Sequence, residues 1–456
     1  MRKTLALAGL CLALLASSCD KNQDFAAPQG ETVAGLPALP QEHVPVDANG
    51  LITVATLTSD KVWLIDGVSY VKPGQTLTIQ PGTYLTTGTI KQYNDPAFGL
   101  QNVAGVLVVP KTAKLIANGT ATAPIVFTSP KAAGQRAAGN FGGIVILGQS
   151  TTNKPTSTRI EGIPQPAGTD ITYGGSIAAD NSGSLKYVRI EFPGYKLDDD
   201  NEINGLTLGG VGSGTVLSHI QVSWSADDAF EFFGGRVNAD HLVALSTDDD
   251  DFDFDFGYTG TIQYAISLKD VNSTNSGTVG NSDSNGLESD NDGTGSSATP
   301  ATKPVLRNFT FLGVGTSATA SSKLKFGNRW RRATSLDIQN SIIGGYTTGV
   351  SFESVNTAGT FSNNVVHGYT TTVTGTAPTN YAGNSVGVNA SANAFLRLAA
   401  NPFYPGSSLN VLNLRPLSTS PAYGNGTTTY KGAIAPNATA ATVWTANWTQ
   451  FNPKNY

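Results

Sequence analysis

His219-Ile220-Gln221-Val222-Ser223-Trp224 is followed, one period of about 22 residues on, by His241-Leu242-Val243-Ala244-Leu245-Ser246, and then by Ile262-Gln263-Tyr264-Ala265-Ile266-Ser267-Leu268. A second series runs in step with it. Ala229-Phe230-Glu231-Phe232-Phe233-Gly234 returns as Phe252-Asp253-Phe254-Asp255-Phe256-Gly257. Asp337-Ile338-Gln339-Asn340-Ser341-Ile342-Ile343 and Phe361-Ser362-Asn363-Asn364-Val365-Val366 repeat later at a slightly longer spacing. Each period holds two or three short apolar-alternating runs, broken by Gly, Asn, Asp or Ser. One such unit cannot bury its own apolar edge. Stacked units, with strand on strand ~4.8 Å apart, build a continuous core. The repeat therefore predicts an all-β fold, a right-handed parallel β-helix with coils of about 22 residues. A propeller or a string of sandwiches would need hairpins and longer periods.

The pattern extends from about Leu51 to the end of the 456-residue chain. Two polar stretches, 271–303 and 370–400, read as loop insertions, which in solenoids often lie on the binding face. The Trp448-Thr449-Gln450-Phe451-Asn452-Pro453 ending reads as a last coil or cap. Charged residues make up 13% and Gly contributes 51 residues, so few surface ion pairs and many turns are expected. A formal net charge of -5 argues against a nucleic-acid partner.

The N-terminus carries a different signal. Arg2 and Lys3 precede an apolar stretch, Leu5 to Ala16, that is too short for a stable membrane span. Ala16-Ser17-Ser18-Cys19 resembles a bacterial lipobox, with cleavage before Cys19 and acylation (palmitate among the chains) of its sulfur. The alternative is an ordinary signal peptide with an incidental Cys. The chain has two cysteines, and Cys11 lies within the segment to be removed, so a mature chain would keep Cys19 alone. A lone thiol at the head of an exported protein favours the modified form. The expected organisation is a signal peptide at 1–18, a lipidated Cys19 with a Pro-rich tether at 19–50, and the β-helix at 51–456. The expected address is the outer membrane of the cell envelope, with a lipid anchor as the membrane contact.

A family resemblance rests on Thr76-Leu77-Thr78-Ile79-Gln80-Pro81-Gly82-Thr83, Gly105-Val106-Leu107-Val108-Val109 and Phe141-Gly142-Gly143-Ile144-Val145-Ile146-Leu147-Gly148. Further carriers are Asn204-Gly205-Leu206-Thr207-Leu208-Gly209-Gly210 and Asp249-Asp250-Asp251-Phe252-Asp253-Phe254-Asp255-Phe256-Gly257. Over most of 51–456 the chain resembles Bacteroidetes-type surface lipoproteins. That resemblance implies a pectin-lyase-like β-helix and an envelope location, and it carries no settled activity.

Alternation assigns the faces. Phe252, Phe254 and Phe256 are expected to point inward, and Asp251, Asp253 and Asp255 outward. One coil earlier Phe230 and Phe232 point in and Glu231 out. The period makes Glu231 and Asp253 neighbours on stacked rungs, and two carboxylates ~5 Å apart repel by roughly 3 kcal/mol at an effective dielectric of ~20. A shared proton, a cation or a basic side chain must answer that. The expected outward row is Thr207, Glu231, Asp253, Glu288 and Lys325. Its carboxylates, with Asp228, Asp250, Asp251, Asp255 and Asp290, are candidate ligands for Ca2+. The plain alternative is a solvated acidic surface.

His219 and His241, one period apart, are expected to stack. A two-His metal site would lack an evident third ligand, so the stack reads as structural. The Gly-rich stretch around Gly209 and Gly210 has no phosphate-binding lysine, and no nucleophile elbow is present. Two functions follow. The first is a lipid-anchored binding or adhesion protein for extracellular polysaccharide or an envelope protein, with Trp224 and Tyr258 as sugar-stacking candidates. The second is a polysaccharide lyase or glycoside hydrolase. Its lyase form would use Lys325 or Arg329 as base beside a bound cation, and its hydrolase form a carboxylate pair such as Asp228 and Asp253.

Overall fold

The computed structural model describes residues 36–198, 201–270, 284–318 and 324–456. The proposed leader, Cys19 and the first part of 271–303 lie outside them. The chain winds as a right-handed parallel β-helix with three parallel sheets around one core. The first sheet stacks Val106–Val109, Gly143–Leu147, Leu206–Gly209, Phe230–Phe233, Phe252–Asp255, Leu287–Ser289 and Phe326–Arg331, rung on rung.

The second and third sheets share long bent strands, among them Gly183–Glu191, Val216–Ser223, Asn238–Leu245, Thr261–Leu268 and Val305–Leu312. The bend has a local cause. Tyr187, His219, His241, Tyr264 and Asn308 each sit at the middle of one of these strands with φ between 51° and 60°. Asn340 and Asn363 occupy the same place in the next coils, both at φ 55°. One left-handed residue per coil turns the chain from the second sheet into the third. Asn and His tolerate that conformation better than β-branched residues do.

Alternation fills the core with rings. Phe230 stacks on Phe252 at 5.2 Å and Phe232 on Phe254 at 5.1 Å. Phe256 departs from the expected inward set. Its φ of 52° ends the strand, so its ring turns out against Phe233, with the Lys154 ammonium 4.1 Å above it.

Several boundaries move. Gln41–His43, expected in the tether, pairs in parallel with Val62–Ile65 as a rung. Leu287–Ser289 is a rung inside the expected 271–303 insertion. The 370–400 stretch carries the rungs Asn380–Ala382 and Ser385–Val388 and a short helix, Ala392–Leu396, instead of a crossing loop. The chain end is neither coil nor cap. It runs back along the outer side of the third sheet as a strap. Ala433 bonds Thr310, Gln450 exchanges two hydrogen bonds with Gln221, and Tyr456 donates to Glu191. Beneath it the outward residues Val243, Leu245, Ile266, Leu268 and Leu312 pack against Leu396, Leu414 and Trp448. On the first sheet, Val106, Val108, Val145 and Leu147 are covered by Ile160, Ile163, Ile171 and Tyr173.

Candidate acidic site

Two outward rows run down the first sheet. One is Val145, Thr207, Glu231, Asp253, Glu288, Arg329 and Ser351 on successive rungs. The other, two residues along each strand, is Gly209, Phe233, Asp255, Asp290, Arg331 and Glu353. Both run from small or apolar, through acidic, to one arginine, beyond which stand Ser351 in the first row and Glu353 in the second. The rung expected for Lys325 is held by Arg329. Lys325 lies four residues earlier in the chain, exposed, with its ammonium 4.8 Å from the Phe326 ring.

The row faces away from the core, yet it is not a solvated surface. Asp227, Asp228, Glu231, Asp250, Glu288 and Asp290 are all buried, and Asp253 is partly exposed. Asp228, Glu231 and Asp253 bring one carboxylate oxygen each within 4.8 Å of one another, and Asp227, Asp228 and Asp249 do the same. Local turns hold them. Asp228 Oδ1 accepts from the Asp250 N–H at 2.7 Å, and Asp250 Oδ1 accepts from the Asn285 N–H at 2.7 Å, so each acidic turn is buttoned to the next coil. The Asn204 amide donates to Glu231. Asp253 Oδ1 is buried and has no hydrogen-bond partner among the described residues.

Burial and mutual repulsion raise these acids. Burial first, then the nearby Asp249, Asp250 and Asp253 charges, pushes Asp228 well up. Glu231 rises from burial, then Glu161 and Asp228. Asp253 is pushed up to about 7 by burial and Asp290, with Arg331 opposing. Further along, cations answer the charge. Arg331 pairs with Glu288 and with Asp290 at 2.9 Å, Arg332 with Asp290 at 2.7 Å, and Arg329 with Glu288 at 3.4 Å and Glu353 at 3.1 Å. Asp228, Glu231 and Asp253 make no such ion pair among the described residues.

The other expected site residues fall elsewhere. Asp255 stands in the second row and accepts from the Phe256 N–H at 2.7 Å. Asp251 precedes the strand, so alternation does not govern it. It turns to the Thr247 and Ser267 hydroxyls and pairs with Lys269 at 3.3 Å, both side chains fully buried. That ion pair removes Asp251 from the ligand set. Trp224 is packed beside Tyr404 under the strap, with Lys454 over its face. Tyr258 is completely buried between Phe232 and Phe254, its hydroxyl donating to the Val237 carbonyl at 2.8 Å. Neither offers a ring to a sugar.

Three contributors were not foreseen. Lys269 and Asn204 flank their strands and stand outside the row. Glu161 arrives from the covering segment, for which the repeat gives no register. The stacked histidines are as expected, with ring centroids 4.4 Å apart. Burial and then His241 lower His219 to about 4.

A family model described as a pectate-lyase like beta helix domain matches residues 50–449. The chain belongs to that family. Among solved structures it is similar to the Dettilon tailspike protein, at 10% identity and a TM-score of 0.26, covering 66% of this chain and 60% of that one. It is also similar to a GH136 lacto-N-biosidase from Eubacterium ramulus, at 9% identity and a TM-score of 0.25, covering 74% and 63%. The chain thus spans about three fifths of the length of the structures it matches. No curated protein is similar enough to count as a relative.

Proposed function

We propose that this pectate-lyase-like β-helix is a carbohydrate-binding protein of the cell envelope, anchored by lipid on Cys19, whose acidic cluster takes up Ca2+. The observation that carries the reading is the convergence of Asp228, Glu231 and Asp253 with a buried, unpartnered Asp253 oxygen. Hard oxygen ligands at this density suit Ca2+, and a divalent ion removes the repulsion that otherwise pushes the three acids up. A Ca2+ held by Asp228, Glu231 and Asp253 would also supply positive charge to attract the carboxylates of an acidic polysaccharide. Trp224 and Tyr258 have no part in this reading.

The test is a thermal melt of a chain beginning at residue 30, in chelator, in millimolar Ca2+ and in Mg2+. At a hundredfold excess over the dissociation constant, Ca2+ is expected to add about 2.7 kcal/mol. Asp253→Asn is expected to abolish most of that gain. No Ca2+-selective rise in the wild type sinks the cation reading. Labelling of cells with palmitate, lost in Cys19→Ser, tests the anchor.

A second reading is favoured by the raised acids themselves. A protonated Glu231 or Asp228 beside an ionised Asp253 is the pairing a glycoside hydrolase needs. Ca2+ would draw off the proton, so the readings separate: hydrolysis of a neutral glycan in chelator supports the second and counts against the first. The lyase form keeps Arg329 alone, and that guanidinium is already engaged with Glu288 and Glu353.

A further inference from the structure

The stacked histidines acquire in three dimensions the third ligand they lack in the sequence. His219 and His241 occupy the same bend on consecutive coils, 18° from parallel. Asp240, immediately before His241, turns its carboxylate to both. Its Oδ1 accepts from His241 Nδ1 and lies 3.9 Å from His219 Nδ1. Ser218 closes the group, with Oγ 2.7 Å from His219 Nδ1 and donating to Asp240 Oδ1 at 2.6 Å. One nitrogen from each ring and one carboxylate oxygen lie within 4.8 Å of one another. The side chains are 18%, 24% and 47% exposed, so an ion in water has access.

The surroundings fix the pair without closing it. Tyr187 stacks on His219 at 4.4 Å, and Tyr264 on His241 at 5.2 Å. Trp444 and Trp448 of the strap meet the rings edge-on at 5.0 to 6.3 Å. These contacts flank the ring faces and leave the Nδ1 edges turned to Asp240 and Ser218. Tetrahedral ligands with bonds of about 2.0 Å stand roughly 3.3 Å apart. Meeting that spacing requires His219 Nδ1 to close on Asp240 Oδ1 from 3.9 Å and the two near-parallel rings to splay so that their lone pairs converge on one ion.

We propose that His219, His241 and Asp240 form a binding site for a borderline divalent transition metal, Zn2+ or Cu2+, at the seam between the coils and the strap. Two imidazoles and one carboxylate suit these ions, and they do not suit Ca2+, which prefers oxygen throughout. The site is independent of the acidic cluster. It stands on the bend between the second and third sheets, whereas the cluster stands on the first.

The same column supplies variants that preserve the backbone. Asn308, Asn340 and Asn363 adopt the identical left-handed bend, so His219→Asn and His241→Asn keep the conformation while removing an imidazole. The experiment is calorimetric titration of the mature chain with Zn2+. It is paired with electron paramagnetic resonance and tryptophan fluorescence during Cu2+ addition. One equivalent is expected, with nitrogen coupling from two imidazoles and quenching of Trp444 and Trp448. Each Asn variant is expected to weaken binding at least tenfold, Asp240→Asn to weaken it less, and Asp253→Asn to leave it unchanged. A wild-type chain that takes up neither ion at micromolar concentration overturns the site. So do Asn variants that bind like the wild type, or a Cu2+ spectrum with oxygen ligands only. Should an Asn variant fail to fold, the wild-type spectrum decides by its nitrogen count.

Discussion

Lys269 and Asp251 have no exposed side-chain surface and lie 3.3 Å apart, each the other's counter-charge in the ion pairs formed among the described residues. Removing one strands the other where water cannot reach. Lys269→Met is expected to cost about 3 to 5 kcal/mol, read from the shift of a urea unfolding curve. Asp253 carries the opposite liability, a charge with too little compensation. In the unfolded chain it ionises near 3.9, and in the folded chain at about 7. Between those values the native state holds a proton that the unfolded state has released. Its contribution to stability is therefore complete below about pH 4 and lost as pH rises through 7, at up to about 1.4 kcal/mol per pH unit. In chelator the melting temperature is expected to fall across that window, and both Asp253→Asn and saturating Ca2+ should flatten the slope. A flat wild-type profile would show that the acid is compensated in the apo state. At this scale the sequence named the acids well and their surroundings poorly. Alternation placed Glu231 and Asp253. It misled at Asp251 and Phe256, which stand just outside the strand, where alternation stops applying.

Each coil is a near copy of its neighbour, and the energetics of one rung are tied to the next. Phe254 lies 5.1 Å from Phe232 and 5.3 Å from Tyr258. Phe254→Ala leaves a cavity that neighbouring rungs cannot fill without breaking register. A loss of about 3 to 5 kcal/mol is expected, seen as a lower melting temperature. At the bend, Asn340→Ala is expected to cost about 1 to 2 kcal/mol because φ is positive, whereas Asn340→Gly should be close to neutral. Equal effects of the two would mean that the side chain, not the conformation, matters there. The period carried the row from Thr207 to Asp253, and the alternation of Leu287 and Glu288 carried it across the insertion to Glu288. It failed at the next rung for a physical reason. Leu324, Phe326, Asn328 and Trp330 are all buried, so a shift of four residues preserves the alternation and leaves Lys325 and Arg329 indistinguishable by pattern.

For the whole molecule, the repeat specified the stack and was silent on what covers it. An outward valine on a coil looks like a surface residue until another segment is laid over it, and neither the 160–173 cover nor the strap shares the period. Deleting residues 389–456 is expected to leave the coils paired while uncovering Val243, Leu245, Ile266, Leu268 and Leu312. The shortened chain should bind a hydrophobic dye and aggregate, with its β signal in circular dichroism retained. Loss of that signal would instead make the strap part of the cooperative core. The strap's direction has a consequence in time. Its residues meet the coils in reverse order, with Ala433 at Thr310, Trp448 at His219 and Tyr456 at Glu191. Of these three contacts, the one to the earliest-made surface is supplied by the latest-made residue. A ribosome adding about 5 to 20 residues per second needs roughly 10 to 50 s between them. Throughout that interval the growing chain displays an uncovered apolar flank that includes Val243, Leu245, Ile266 and Leu268. A holding chaperone therefore has a defined stretch of nascent protein to protect, and a defined moment at which to let go.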